Sequence, residues 1–222
     1  MEMESNLMNA YLMAYKIACD KLKECDYEEI CLNTNGVYNS LNNYISLKYL
    51  NNIYDIDCIS GEVILKHFDK AVKATQAIQD VTTTLKVLIL HYLLSSKKTP
   101  LSGKLISFKE IPGGGAIYYQ TFHKRAILPL IETFANNLKG FYSVAADLNG
   151  IREKYGHASV TINIFPLVPV TYILWQGDEE IPSSGTILFD NTVTNYLPVE
   201  DIVLAASYGV YEMIKLANNK YR

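Results

Sequence analysis

A basic surplus is missing from this sequence: 20 Lys and Arg stand against 23 Asp and Glu, a net charge of −3. A chain that grips a phosphate backbone needs a positive face, so generic nucleic-acid binding is not expected. Long hydrophobic runs are missing as well. The best candidate, 160–175, is interrupted by Thr161, Asn163, Pro166, Pro169 and Thr171. It falls short of the roughly 18 apolar residues that span a bilayer, so no membrane partner is expected. Glu2 and Glu4 stand where a signal peptide has a basic region followed by an apolar block, and a cytoplasmic location is the expectation. Cysteine is sparse. Cys19, Cys25, Cys31 and Cys58 lie at roughly the first quarter of the chain without C-x-x-C spacing. Zinc and iron–sulfur sites bring their ligands in tight pairs, so buried or idle thiols are expected instead. Nucleophile–base signatures such as G-x-S-x-G and H-E-x-x-H are absent, and His67, His91, His123 and His157 stand alone. Nothing here supports a common hydrolase or a histidine-rich metal site, and no cofactor is specified.

What is present is a large apolar fraction, 49% of 222 residues, and 17 tyrosines. That suffices for one sizeable core, and a single domain over 1–222 is expected. Leu7, Tyr11, Ala14, Ala18 and Leu22 recur at steps of three and four, which predicts an amphipathic helix over about 4–24. Residues 26–34 read as a short strand or buried extension, broken at Asn33 to Gly36. Residues 44–64 alternate apolar and polar and predict an antiparallel ribbon with a turn at Asn51-Asn52. Asp55 and Asp57 share one face of it, the pattern of a solvated edge strand. Thr82 to Thr84 can cap a helix over about 85–95 that is apolar almost all round, hence buried, with His91 as a hydrogen-bonded core residue. Lys97 to Pro100 ends it.

Residues 102–110 predict a short extended segment. Phe122, Ala126, Leu130, Phe134 and Leu138 predict a helix that Pro129 kinks or restarts at Leu128. Residues 140–159, with Gly150 and Gly156, read as an irregular, mobile loop. Strands are predicted at 160–164 and 168–174, with Pro166 and Pro169 at a junction or edge. A helix is predicted over 199–218, with Pro198 before it and Glu200 and Asp201 at its start. The sum is an α+β fold, a mixed or antiparallel sheet packed against several helices.

Three constellations rise above the background. Gly113-Gly114-Gly115 precedes a helical run; it is either an anion cradle of bare amides or a tight structural turn. It matches neither G-x-G-x-x-G after a strand nor a P-loop. Asp178-Glu179-Glu180 follows Trp175 at a turn, with Asp190 and Glu200-Asp201 nearby if the chain doubles back. Adjacent acids repel, so this is a salt-bridge knot with Arg125, a hard-metal site or an acid/base site. Tyr118, Tyr119, Phe122, His123 and Arg125 either line a pocket for a flat ligand or make core plus one structural arginine.

The order of these residues is distinctive. Gly113 to Gly115, Tyr119, Phe122, Arg125-Ala126, Pro129-Leu130 and Phe134 come first. Phe165-Pro166, Val168-Pro169, Leu174-Trp175, Gly177 to Glu180, Pro182, Leu188 to Asp190, Tyr196 to Pro198 and Glu200-Asp201 follow. The pattern resembles a family of bacterial and archaeal proteins catalogued as a domain of unknown function, best from Leu101 onward. Ile181 departs from it, standing where the pattern has phenylalanine. Similar proteins carry a cysteine-rich, iron–sulfur-like N-terminal segment and occur in anaerobes with corrinoid-dependent methyl chemistry. The resemblance therefore implies a tetrapyrrole- or corrinoid-related ligand, while the missing cysteine-rich segment argues against a redox role.

The resulting expectation is a small-molecule or cofactor-binding protein. Its pocket would gather Gly113, Gly114, Gly115, Tyr119, Arg125, Trp175, Asp178, Glu179, Glu180 and Asp190 at one rim of the sheet. The alternatives are an enzyme built on the acidic cluster and a structural or interaction protein.

Overall fold

The computed structural model describes residues 2–66 and 81–220. His67 falls outside them, as does the side chain of Leu7. The fold is α+β, and its contacts divide the chain into two compact units, Met1–Lys98 and Thr99–Arg222.

The first unit opens with helix α1 (Glu2–Leu22), whose Ala18, Cys19 and Leu22 are buried. Residues 26–34, expected as a strand, form helix α2 (Tyr27–Thr34) instead. The cause is local. Asp26 Oδ1 accepts from the amides of Glu28 and Glu29 at 2.9 and 3.1 Å, an N-cap. Ile30 and Thr34, one turn apart, point into the core, and Asn35 ends the helix in the left-handed region at φ 56.

Strands β1 (Val37–Asn39), β2 (Tyr44–Tyr49), β3 (Asn52–Asp57) and β4 (Val63–Leu65) then form an antiparallel meander in sequence order. The predicted alternation holds: Ile45, Leu47, Tyr49, Tyr54 and Ile56 are buried, and their neighbours are more exposed. The β2–β3 turn is Leu50-Asn51, one residue earlier than expected, with Leu50 at φ 50. Nor is β3 an edge, since it pairs on both sides. Its carboxylates are spent within the sheet: Asp55 accepts from Ser46 Oγ and faces Lys66 Nζ at 3.4 Å, and Asp57 accepts from Ser60 N and Oγ at the following turn. Helix α3 (Thr83–Ser95) packs on α1 and is apolar all round, as predicted. Thr82 caps it through the Leu85 amide.

The second unit holds a five-stranded antiparallel sheet made of β5 (Leu105–Ser107), β6 (Ile151–Arg152), β7 (Ala158–Phe165), β8 (Val168–Trp175) and β9 (Ser184–Asp190). The order is β5-β9-β8-β7-β6. Pro166-Leu167 makes the β7–β8 turn. Pro169 lies inside β8 beside a bulge at Asn163/Phe165, where the missing N–H is tolerated. Helices α4 (Gly115–Phe122), α5 (Leu128–Phe134), α6 (Leu138–Asp147) and α7 (Val199–Lys220) belong to this unit, and α5, α6 and α7 pack on the sheet.

The break at Pro129 appears as a π-helical turn, His123–Ile127, in which the Leu128 amide reaches back five residues to His123 O. Residues 140–159 are not the expected mobile loop. Asn137 caps α6 through the Gly140 amide at 2.9 Å, and Phe141, Val144 and Ala145 make a buried stripe. That apolar spacing outweighs the glycines. No helix among the described residues is long and apolar enough to cross a membrane.

Candidate functional site

The triple glycine serves a tight corner. A Cβ on Gly115 would overlap the Phe108 carbonyl oxygen, and its amide is already given to Ile111 O at 3.2 Å. Gly113 and Gly114 take φ +83 and +145, which glycine alone adopts readily, against Val199 and Tyr118. The Glu200 carboxylate beside the Tyr118 phenol raises it, and α4 packs against α7 here. Tyr119 is half-buried, with Lys109 Nζ 4.1 Å from its ring centre and the His123 ring at 6.0 Å. Arg125, on the π turn, is exposed and has no ion-pair partner among the described residues.

The acidic turn is organised by different neighbours. Asp178 Oδ1 accepts from the Glu180 and Ile181 amides at 2.9 and 2.8 Å, and these hydrogen bonds, Ile181 first, lower its pKa. Gly177 N–H donates to Ser183 Oγ at 3.0 Å and closes the loop. Glu179 and Glu180 are exposed, as is Trp175 at the end of β8. Beside it, His157 Nδ1 accepts from the Gln176 amide at 2.9 Å.

Asp190 ends β9, and the acidic turn precedes the start of that strand, so about 20 Å of strand separates Asp190 from the Ser184 end. The expected convergence of Asp178, Glu180 and Asp190 does not occur, nor does a knot between Arg125 and the acids. Asp190 is buried and fully engaged. Its oxygens accept from Ser102 N and Oγ, Gly103 N, and Thr192 N and Oγ1. Burial alone would raise this carboxyl, but the hydrogen bonds from Thr192, Ser102 and Gly103 together hold it below the usual range. Among the described residues no three His, Cys, Asp or Glu side chains are grouped to hold a metal ion.

Among the described residues, a hollow lies within the first unit. It measures about 600 Å³, is open to solvent, and sits at the α1–α2 junction and the end of α3. Ile30, Leu93 and Leu94 supply its apolar lining, with Asn33 and Ser96 beside them. Glu24, Asp26 and Glu29 line it from the α1–α2 side, Lys97 and Lys98 from the other. Cys25 also faces it; its thiol donates to Lys21 O at 3.2 Å, and burial, then the charges of Glu24 and Glu29, push its pKa up. None of the ten rim residues lines it. The sequence pattern does not reveal it, because residues 26–34 carry an extended-looking pattern and the two charged walls lie some 70 positions apart. The available signal was Asp26 followed by Glu28-Glu29, a helix start.

No curated protein and no solved structure matches the chain. A family model does, over residues 26–212, a span that takes in most of both units. The chain therefore belongs to the family described as a domain of unknown function, DUF3786.

Proposed function

We propose that this protein binds a small molecule in the first-unit cavity. The observation that carries the reading is the combination of size and lining. About 600 Å³ falls within the range of small-molecule pockets, and charged groups converge there on an apolar wall of Ile30, Leu93 and Leu94. The corner at Gly113 to Gly115 and the turn at Asp178 to Glu180 have no part in this reading. The Gly115 amide and the Asp178 carboxylate are already taken up by local backbone groups.

A tetrapyrrole held through an axial ligand fits the cavity poorly. No histidine or methionine lines it, and its one thiol is held protonated.

The test is a thermal-shift screen of the full chain against a metabolite library, repeated on Asn33→Trp, which fills the cavity from α2. A compound that raises Tm of the wild type and leaves Asn33→Trp unmoved supports the reading. Hits that act equally on both, or no hit at all, would refute it. Circular dichroism of Asn33→Trp confirms that the variant is folded.

A further inference from the structure

We infer that the ligand of this cavity is a zwitterion with an apolar body, of the short-peptide type; the inference rests on the cavity being the binding site. Glu24 and Glu29 face the space from one side, Lys97 and Lys98 from the other. These four side chains make no ion pair with one another, nor with any other described residue. Opposite charges thus look onto a common volume without closing on each other.

The amides at the start of α2 do not add a further anion site. Asp26 Oδ1 already takes those of Glu28 and Glu29. The lysines are therefore the positive groups that meet an anion, and the glutamates the negative groups that meet a cation. A ligand of one sign satisfies one wall and is repelled by the other. A molecule with an ammonium at one end and a carboxylate at the other satisfies both, and Leu93 and Leu94 receive the apolar part between.

Isothermal titration calorimetry at pH 7 on the full chain tests this with three probes: leucyl-leucine, N-acetyl-leucyl-leucine and leucyl-leucine methyl ester. The free dipeptide is expected to bind, with each capped form weaker by about tenfold or more, the loss of one charged contact. The double variant Lys97→Gln/Lys98→Gln should bind the dipeptide and its methyl ester alike. The variant Glu24→Gln/Glu29→Gln should bind the dipeptide and its N-acetyl form alike. Capped forms binding as tightly as the dipeptide, or charge variants that keep the preference, would overturn the inference. So would a dipeptide that does not bind. The cavity reading fails separately, when no compound of any class gives a shift that Asn33→Trp abolishes.

Discussion

Gly103 donates its amide to Asp190 Oδ2 at 2.7 Å, across 87 positions of sequence. Together with the Ser102 hydrogen bonds, this holds the segment entering β5 against the end of β9. Asp190 is thus the clasp of the second unit's sheet edge, and its charge is used structurally.

Replacing Asp190 by Ala leaves several inward-facing donors without an acceptor. The expected cost is about 3 kcal/mol, read as a drop in Tm on the order of 10 °C. The folded carboxyl titrates below its usual value. Its contribution is therefore fully present above the unfolded Asp value of about 3.9 and is lost as pH falls through the lower folded value. Melting curves of wild type and Asp190→Ala should differ most above about pH 4 and converge below it. A difference that persists unchanged into strong acid would contradict the assignment.

Gly113 and Gly115 should part company when each is changed to Ala. Gly113 has open space around it, the nearest atom to an added Cβ lying 3.9 Å away, so its cost is the positive φ alone, about 1 kcal/mol. Gly115 has the Phe108 carbonyl in the way and should cost about 1–3 kcal/mol or more. Urea denaturation of the two variants measures the order, and equal losses would show that the corner relaxes freely.

Arg125→Ala should leave Tm within the scatter of replicate melts. The side chain is exposed and unpaired among the described residues, and such surface changes are close to neutral. A fall of several degrees would reveal an ion pair with the acidic turn.

Burial pushes the Cys31 thiol up to about 11, and burial, then Asp57 and Cys31, push Cys58 to about the same value. At pH 8 their thiolate fraction is about one in a thousand, roughly a hundredfold or more below an ordinary thiol. Labelling with Ellman's reagent and peptide mapping should find both sites slow, with rates still climbing between pH 8 and 10. Fast labelling of either at pH 8 would contradict its raised pKa.

The parts of this molecule that could be read without coordinates are those set by neighbours in sequence. The alternation at Ile45, Leu47 and Tyr49, the Thr82 cap, the break at Pro129 and the helix beginning at Val199 each depend on periodicity or on backbone chemistry within a few residues. Two stretches, 26–34 and 140–159, carry competing local signals. A capping Asp26 outweighed the extended reading of α2, and a capped apolar stripe outweighed the glycines around α6. The destinations of charged side chains were beyond such reading. Asp178 and Asp190 sit twelve positions apart, yet one precedes the start of β9 and the other is its last residue, while Glu29 and Lys98 sit far apart in sequence yet line one cavity. Strand direction and helix packing, which join residues of large sequence separation, decide which carboxylates meet which cations. The residue types alone leave that choice open, because an Asp can cap a turn, clasp a loop or face a ligand with the same side chain.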